Sequence, residues 1–508
     1  MGSTFSSYQI ARTGMYVSER GLYTTGHNIS NVNTAGYSRQ QTIIAETAPS
    51  SIGRFLVGIG ADVQQTRQVR SQFLDNTYRQ QSELFGYAEA RSSVVEEIET
   101  ILPEPSNTSL SSVIDKFFKS WEELSKDPGS LTVRASVRQR SIEFVDMVNH
   151  IGDQLNRLQN DTNMEIKNTI GDINSTAKQI AELNQKIMKV EGSGDQANDF
   201  RDERNLLLDD LSQMINIDIS EKANGTVDVA IGGIYLVNGL KTNAIKADYN
   251  SNQSIFYTAK WENNDAFVQV RGGRLKGLIE ARGDVDGYKG SVGNGSPVEG
   301  TDVNTDAALP GYKFNPSTEN IISELRNGIN IMVNLMTRKV NELHSGGVGL
   351  DGSSGVELFT KIDESLPLEM SNIQVNPLFN DDNGLNKIAA SATGAGKNDN
   401  QVAQEIADLR SLKFFQDGNV TVDIDTYYSG IVSWVGAVGQ EAGGLSDNQY
   451  TLLVQLQNNR DSLSGVSLDE EMTNMMKYQH AYNASARVIN IVDEMIDQIV
   501  NRMGIVGR

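Results

Sequence analysis

The sequence contains no cysteine in 508 residues. That absence excludes disulfide staples, thiolate metal ligands and thiol nucleophiles together. Histidine is nearly as scarce. His27, His150, His344 and His480 lie far apart, and none has a second His four residues on, so there is no H-E-x-x-H zinc motif. Neither a G-x-x-x-x-G-K phosphate loop nor a G-x-S-x-G nucleophile turn occurs. No run of about 18 apolar residues reads as a membrane span, and residues 1 to 30 lack the basic start and apolar stretch of a secretory signal. Basic charge is also short. Lys and Arg number 44 against 65 Asp and Glu, a formal net charge of −21 and a pI near 4.7. Nucleic acid and an anionic membrane surface are therefore both disfavoured as partners, and neither is expected.

The cleanest periodicity stands at the two ends, where domains usually fray. Tyr8, Met15, Leu22 and Ile29 recur every seven residues, as do Leu468, Met475, Tyr482, Ile489, Ile496 and Met503, with Tyr478, Val492 and Ile499 between. On helices such repeats form narrow apolar seams that pack lengthwise against a partner helix. The ends suit each other or neighbouring molecules. The expected assembly interface is Tyr8, Met15, Leu22, Ile29, Leu468, Met475, Tyr482, Ile489, Val492, Ile496, Ile499 and Met503. The N-terminal seam is thin because Ala11, Ser18 and Thr25 are small or polar. A helix of this kind is marginal alone and is expected to order in an assembly.

Between the ends the chain is too long for one core. Gln41–Ala45 and Phe55–Val69 alternate as extended segments, and helical pattern follows over Ser71–Thr100 and Leu131–Val190. Residues 191 to 205 form a Gly-containing loop entering a helix that runs to Ile215. Gly192, Gly194 and Ala197 nominally match a dinucleotide fingerprint, but no strand precedes them. Short alternating runs from Ile217 to about Val270, with an Asn224-Gly225 hairpin turn, read as β structure. Residues 287 to 316 are rich in Gly, Asn and Asp and read as a mobile excursion. Helices are expected at Glu319–His344, Gln401–Phe415, Thr426–Ser464 and from Ser467 onward, with a strand candidate at Leu368–Val375. Ser467 and Glu470 have capping-box spacing, and His344 ends a helix where a donor suits the last carbonyls.

The fold expected is α+β, multidomain and elongated, with long terminal and internal helices in bundle or coiled-coil packing. Residues 1–48 and 466–508 form the terminal helical region, 49–216 and 318–465 a mainly helical rod, and 217–317 an inserted β-rich outer domain. Asp284, Asp286 and the Asp381–Gly384 turn superficially suggest calcium loops, but neither reaches a Glu at the twelfth position. Trp121, Trp261 and Trp434 read as core or interface anchors. No catalytic residue, cofactor site or metal site is expected, and the chain does not read as an enzyme.

Several motifs carry a family likeness. Thr24–Gln40 (TTGHNISNVNTAGYSRQ), ending in Gly36, Tyr37, Ser38, Arg39 and Gln40, resembles the N-terminal signature of bacterial flagellar axial proteins in its FlgK form, although Ala35 stands where Pro is usual. Asn198–Asn205 (NDFRDERN) is similar to the family's NDLRDQRD element. The segments RGGRLKGLIEARGDV and GGVGLDGSSGVELF resemble internal markers, and SLDEEM, KYQHAYNASARVI and DEM resemble its C-terminal signature. The resemblance implies a structural protein of the hook–filament junction, exported without a cleaved signal through the flagellar type III apparatus to an extracellular position. The partners it implies are identical copies in a ring, hook protein, a FlgL-like second junction protein, and a FlgN-like chaperone at the C-terminal helix. Another axial protein of hook, rod or flagellin type, or an enzyme or adhesin carried on the β region, are the alternatives.

Overall fold

Stretches rich in Leu, Glu, Gln and Asn, with few glycines and no interior proline, give the chain its long helices. The computed structural model describes residues 2–52, 55–104, 106, 109–249, 256–283, 313–314, 316, 319–364, 368–393, 396, 398–417 and 420–498. Helix α1 (Gly2–Ser30) is followed by strands β1 (Gln40–Glu46), β2 (Ser50–Ile52), β3 (Phe55–Val57) and β4 (Ala61–Gln68). β1 pairs antiparallel with β4 and β2 with β3, as two separate two-stranded sheets. Then come α2 (Gln72–Ile101), α3 (Leu110–Lys126), α4 (Leu131–Glu191) and α5 (Asn198–Met214). α4 runs 61 residues, about 90 Å at 1.5 Å per residue, and makes the molecule elongated.

Sequence periodicity overlooked α3. Ser109 caps it by accepting from Ser112 N at 3.3 Å, and its buried face carries Phe117, Phe118 and Trp121. These pack with Phe144 of α4 and Phe359 in the larger of two cores. The second half of α4 belongs to the other core, where Ile166, Ile170, Ile173 and Ile180 meet Leu208 and Leu211 of α5.

Strands β5 (Asp218–Glu221), β6 (Val227–Ile231), β7 (Ile234–Asn238) and β8 (Lys241–Thr242) form an antiparallel meander. The β5–β6 turn holds Gly225 at φ +78°, as its Asn-Gly sequence requires. β9 (Ile245–Tyr249) and β10 (Tyr257–Trp261) pair beside it, and α6 (Gly273–Arg282) closes the layer. These strands bury Val229, Leu236, Val237 and Trp261 against α4 and α5, so the apolar core is continuous across the change from helix to strand at residue 217. Of the excursion expected at 287–316, all but 313, 314 and 316 lies outside the described residues, as do Asp284 and Asp286.

The chain continues through β11 (Lys313–Phe314), α7 (Ile321–Gly346), β12 (Phe359–Lys361), β13 (Ile373–Val375), α8 (Gln401–Asp408), β14 (Phe415–Asp417) and β15 (Val420–Val422). The last elements of the described residues are α9 (Ile424–Ser464) and α10 (Leu468–Asp497). Two expectations need correction here. The helix expected over Gln401–Phe415 stops at Asp408, because Phe415 is drawn into a strand and buried against Tyr427. His344 does not serve the carbonyls of its own helix. Its Nδ1–H donates to Val356 O at 2.6 Å, and its Nε2 accepts from Ala389 N at 2.9 Å. Trp121 and Phe379 stand edge-on to the ring. Burial pushes its pKa down to about 4, so at neutral pH it is an uncharged latch.

Candidate assembly site at the paired termini

α1 and α10 pack against each other in one chain, so each end supplies the partner helix that the other's periodicity demands. Three contacts fix the direction. A Cβ added at Gly14 would meet Ser485 Oγ at 2.9 Å, and one added at Gly21 would meet the Tyr478 ring at 2.6 Å. Asn28 Nδ2 donates to Glu471 Oε2 at 3.1 Å. The contacts advance by seven on α1 and retreat by seven on α10, so the pair is antiparallel.

The buried face of α1 carries Ala11, Val17, Ser18, Thr24, Thr25 and Asn28, and that of α10 carries Glu471 and Val492. Within one chain, then, the helices meet mainly along the smaller residues of α1. Tyr8 is 39% exposed and Leu468 46%. Met15, Leu22, Ile29, Met475, Tyr482, Ile489 and Ile496 are half-buried at the flanks. Of the expected residues only Val492 lies in the buried face, and Ile499 and Met503 lie outside the described residues. The physical reason is space. The residues that thin the N-terminal seam, with Gly14 and Gly21 beside them, leave room on α1 for side chains of α10, and the Tyr478 ring lies over Gly21. Tyr16, Tyr23, Met472, Met476, Ile491 and Met495 add further exposed apolar surface to the pair.

At its inner end the pair is tied to the body by a knot of polar side chains. Asn28 serves Gln40 as a strand neighbour would, accepting from Gln40 N at 3.0 Å and donating to Gln40 O at 2.9 Å. Tyr37 Oη donates to Asn28 Oδ1 at 2.7 Å, and Gly36 turns the chain before it at φ +75°. Arg39 Nε donates to Glu471 Oε1 at 2.8 Å while its other nitrogens hold Glu470, and Arg39 N donates to Ser464 O at 2.8 Å. The Ser467 hydroxyl makes no cap hydrogen bond, so the expected capping box is absent: Glu470 has turned to Arg39.

Below this lies a chain of ion pairs among α2, α5 and α9. Asp202 accepts from Ser38 N at 3.0 Å and from Arg70 at 3.4 Å, and Arg70 also grips Asp75. Arg460 joins Asp75 to Asp209, and Arg79 donates to Asp209 at 2.7 Å. Desolvation pushes the Asp202 carboxyl up to about 6 despite its hydrogen bonds from Ser38 and the nearby Arg70. The Tyr37 phenol is raised too, by burial first and then by Asp199, Asp202 and Glu471. GYSRQ, NDFRDERN and SLDEEM thus converge on one place. Sequence reasoning found the motifs but not their meeting, because opposite charges hundreds of residues apart leave no local signal.

Among the described residues no group of three or more His, Asp and Glu is placed to hold a metal ion, and no helix is long and apolar enough to cross a membrane. The arrangement holds two helices together, ties them to the body and leaves apolar side chains of both exposed.

Comparison with known proteins bears on the same regions. The family model of the flagellar hook-associated protein FlgK helical domain matches residues 95–359, and that of the flagellar basal body rod FlgEFG protein C-terminal matches 457–503. The flagellar hook-associated protein 1 of Bacillus subtilis (strain 168) is 30% identical over the whole of both chains. That of Escherichia coli (strain K12) is 26% identical over 97% of this chain and 98% of its own. The flagellar hook junction protein FlgK from Burkholderia pseudomallei superposes with a TM-score of 0.58 at 14% identity. The match covers 77% of this chain and all of that one, and it is a likeness of fold. With a family model over half its length and a relative aligned end to end, the chain belongs to the FlgK family of flagellar hook-associated proteins.

Proposed function

We propose that this chain is a structural subunit of the bacterial flagellum at the junction of hook and filament, where identical copies form a ring. Hook protein meets one face of the ring and FlgL-like subunits the other, and packing takes the place of chemistry. The observation that carries this reading is the pair of terminal helices, which meet along the small residues of α1 and leave apolar side chains of both helices exposed. Half-buried residues at sevenfold spacing, such as Met15, Leu22, Met475 and Ile489, are what neighbouring copies would cover.

Export through the flagellar type III apparatus suits a chain with no cysteine to cross-link on the way. Before export, a FlgN-like chaperone on α10 would cover Met472, Met476, Ile491 and Met495, an exposed stripe that otherwise invites aggregation. The test is to label the chain in motile cells. A single focus at the distal end of the hook is expected, and label spread along hook or filament would overturn the junction assignment.

A further inference from the structure

The apolar flanks of the terminal pair share one repeat, and a repeat cannot state its own register. Sliding α10 by seven residues along α1 would bring Leu468, Met475, Tyr482 and Ile489 to equivalent places beside Tyr8, Met15, Leu22 and Ile29. The buried face is nearly as permissive. Tyr478 rests on Gly21, and a slip of seven in one direction sets it on Gly14, which also has no side chain to oppose it. One contact breaks the degeneracy. Glu471 is the sole charged residue among the buried positions of α10 in the described residues, at 2% exposure. It takes a hydrogen bond from Asn28 at 3.1 Å and one from Arg39 at 2.8 Å. A slip of seven would face it with Gly21, leaving Asn28 and Arg39 without it.

We propose that Glu471 is the positioning residue that sets the register of the terminal helix pair and, through Arg39, couples that register to docking on the body. A single polar residue in an otherwise periodic helix interface is a known means of selecting one alignment among several. Here the coupling is direct. Arg39 also binds Glu470 and the carbonyl of Ser464, and the adjoining Ser38 binds Asp202. Correct pairing and correct attachment therefore share one carboxylate, and the inference does not depend on where in the flagellum the chain resides.

The absence of cysteine makes the register directly readable. A Cβ at position 14 lies 3.9 Å from that of Ser485, within disulfide range, so Gly14→Cys with Ser485→Cys reports the native register. Ser7→Cys with Ser485→Cys reports a slip of seven. Both pairs are oxidised in the full-length chain, as purified protein and in isolated flagella. With Glu471 intact, the native link is expected and the slipped link is scarce. Glu471→Leu keeps an apolar side chain in the face while removing the pin, and should raise the slipped link about tenfold. Glu471→Gln, which still accepts from Asn28, should restore the native link as the main product.

An unchanged native yield in Glu471→Leu would overturn the proposal. So would loss of both links with the body's melt unaltered, since Glu471 would then hold the pair together without choosing its alignment. Slippage in Glu471→Gln equal to that in Glu471→Leu would remove Asn28 from the pin. No native link in either preparation with Glu471 present would overturn the paired arrangement itself.

Discussion

The terminal pair and the larger body core solve the same problem, how to hold helices together, by opposite means. The core fills space with Phe117, Trp121, Phe144, Phe359, Phe379 and Phe415, all fully enclosed, and His344 within it is an uncharged latch. The pair joins on alanine, glycine, serine and threonine, and its buried Asn28 and Glu471 are hydrogen-bonded to each other. Burial of bulky side chains makes the core stable. Glycine notches and a polar knot make the pair specific, and with few large side chains fully buried it is expected to open at lower free energy than the core.

The largest expected effect is in the core. Phe117→Ala removes a ring packed against Phe118, Trp121, Phe144 and Phe359, and should destabilise the body by about 3–5 kcal/mol. Denaturant unfolding followed by tryptophan fluorescence measures this, and cleavage of the termini in limited proteolysis should already be fast before the body yields. A pair that outlasts the body would reverse the contrast.

Acid separates the two regions next. His344 has a folded pKa of about 4, below the ordinary 6.5, so its contribution is complete above about pH 6.5 and is lost as pH falls toward 4. The full loss is about 3 kcal/mol. Asp202 runs the other way: its folded pKa of about 6 lies above the ordinary 3.8, so the penalty on its charged form is relieved as pH falls through the same interval. Unfolding midpoints at pH 7 and pH 5 should show the body weakening, and His344→Gln should flatten that dependence.

Gly21→Ala tests the close approach. The helix gains up to about 1 kcal/mol of propensity, but the methyl meets the Tyr478 ring at 2.6 Å, and such crowding costs about 1–3 kcal/mol. The net outcome is a looser pair, seen as faster proteolysis of α10 with an unchanged body. The smallest effect on stability belongs to Ile489→Asp. Its site is half-buried at the flank, so the monomer's melt should move by no more than about 0.5 kcal/mol. Assembly buries that flank, and an unpaired carboxylate there is strongly unfavourable. Cells should therefore secrete filament protein without polymerising it. Export of the variant must be measured alongside, and normal filaments from an exported variant would exclude Ile489 from the assembly surface.

Much of this was legible in the residues. α2, α4, α7 and α9 lie close to where breaker-poor helical pattern placed them, because period and composition act locally. α3 was missed although Ser109 caps it and its apolar face is strong: it is short and stands between two longer helices. The end of α8 was misplaced because Phe415 follows a strand partner supplied by Val422 rather than its own helical propensity.

The sequence by itself determined that the ends are helices with a repeat of seven, that thiol chemistry is absent, and that the motifs are those of one flagellar family. It could not decide which face of α1 meets α10. A period states that some stripe is shared, and only the packed backbones decide between the bulky stripe and the small one beside it. Tertiary structure chose Ala11, Ser18 and Thr25, because on that face Gly14 and Gly21 leave room for Ser485 and the Tyr478 ring, room that Tyr8, Met15 and Leu22 would fill. It also brought Arg39 to Glu470 and Glu471. Charges separated by more than four hundred residues find each other only when the fold carries them there.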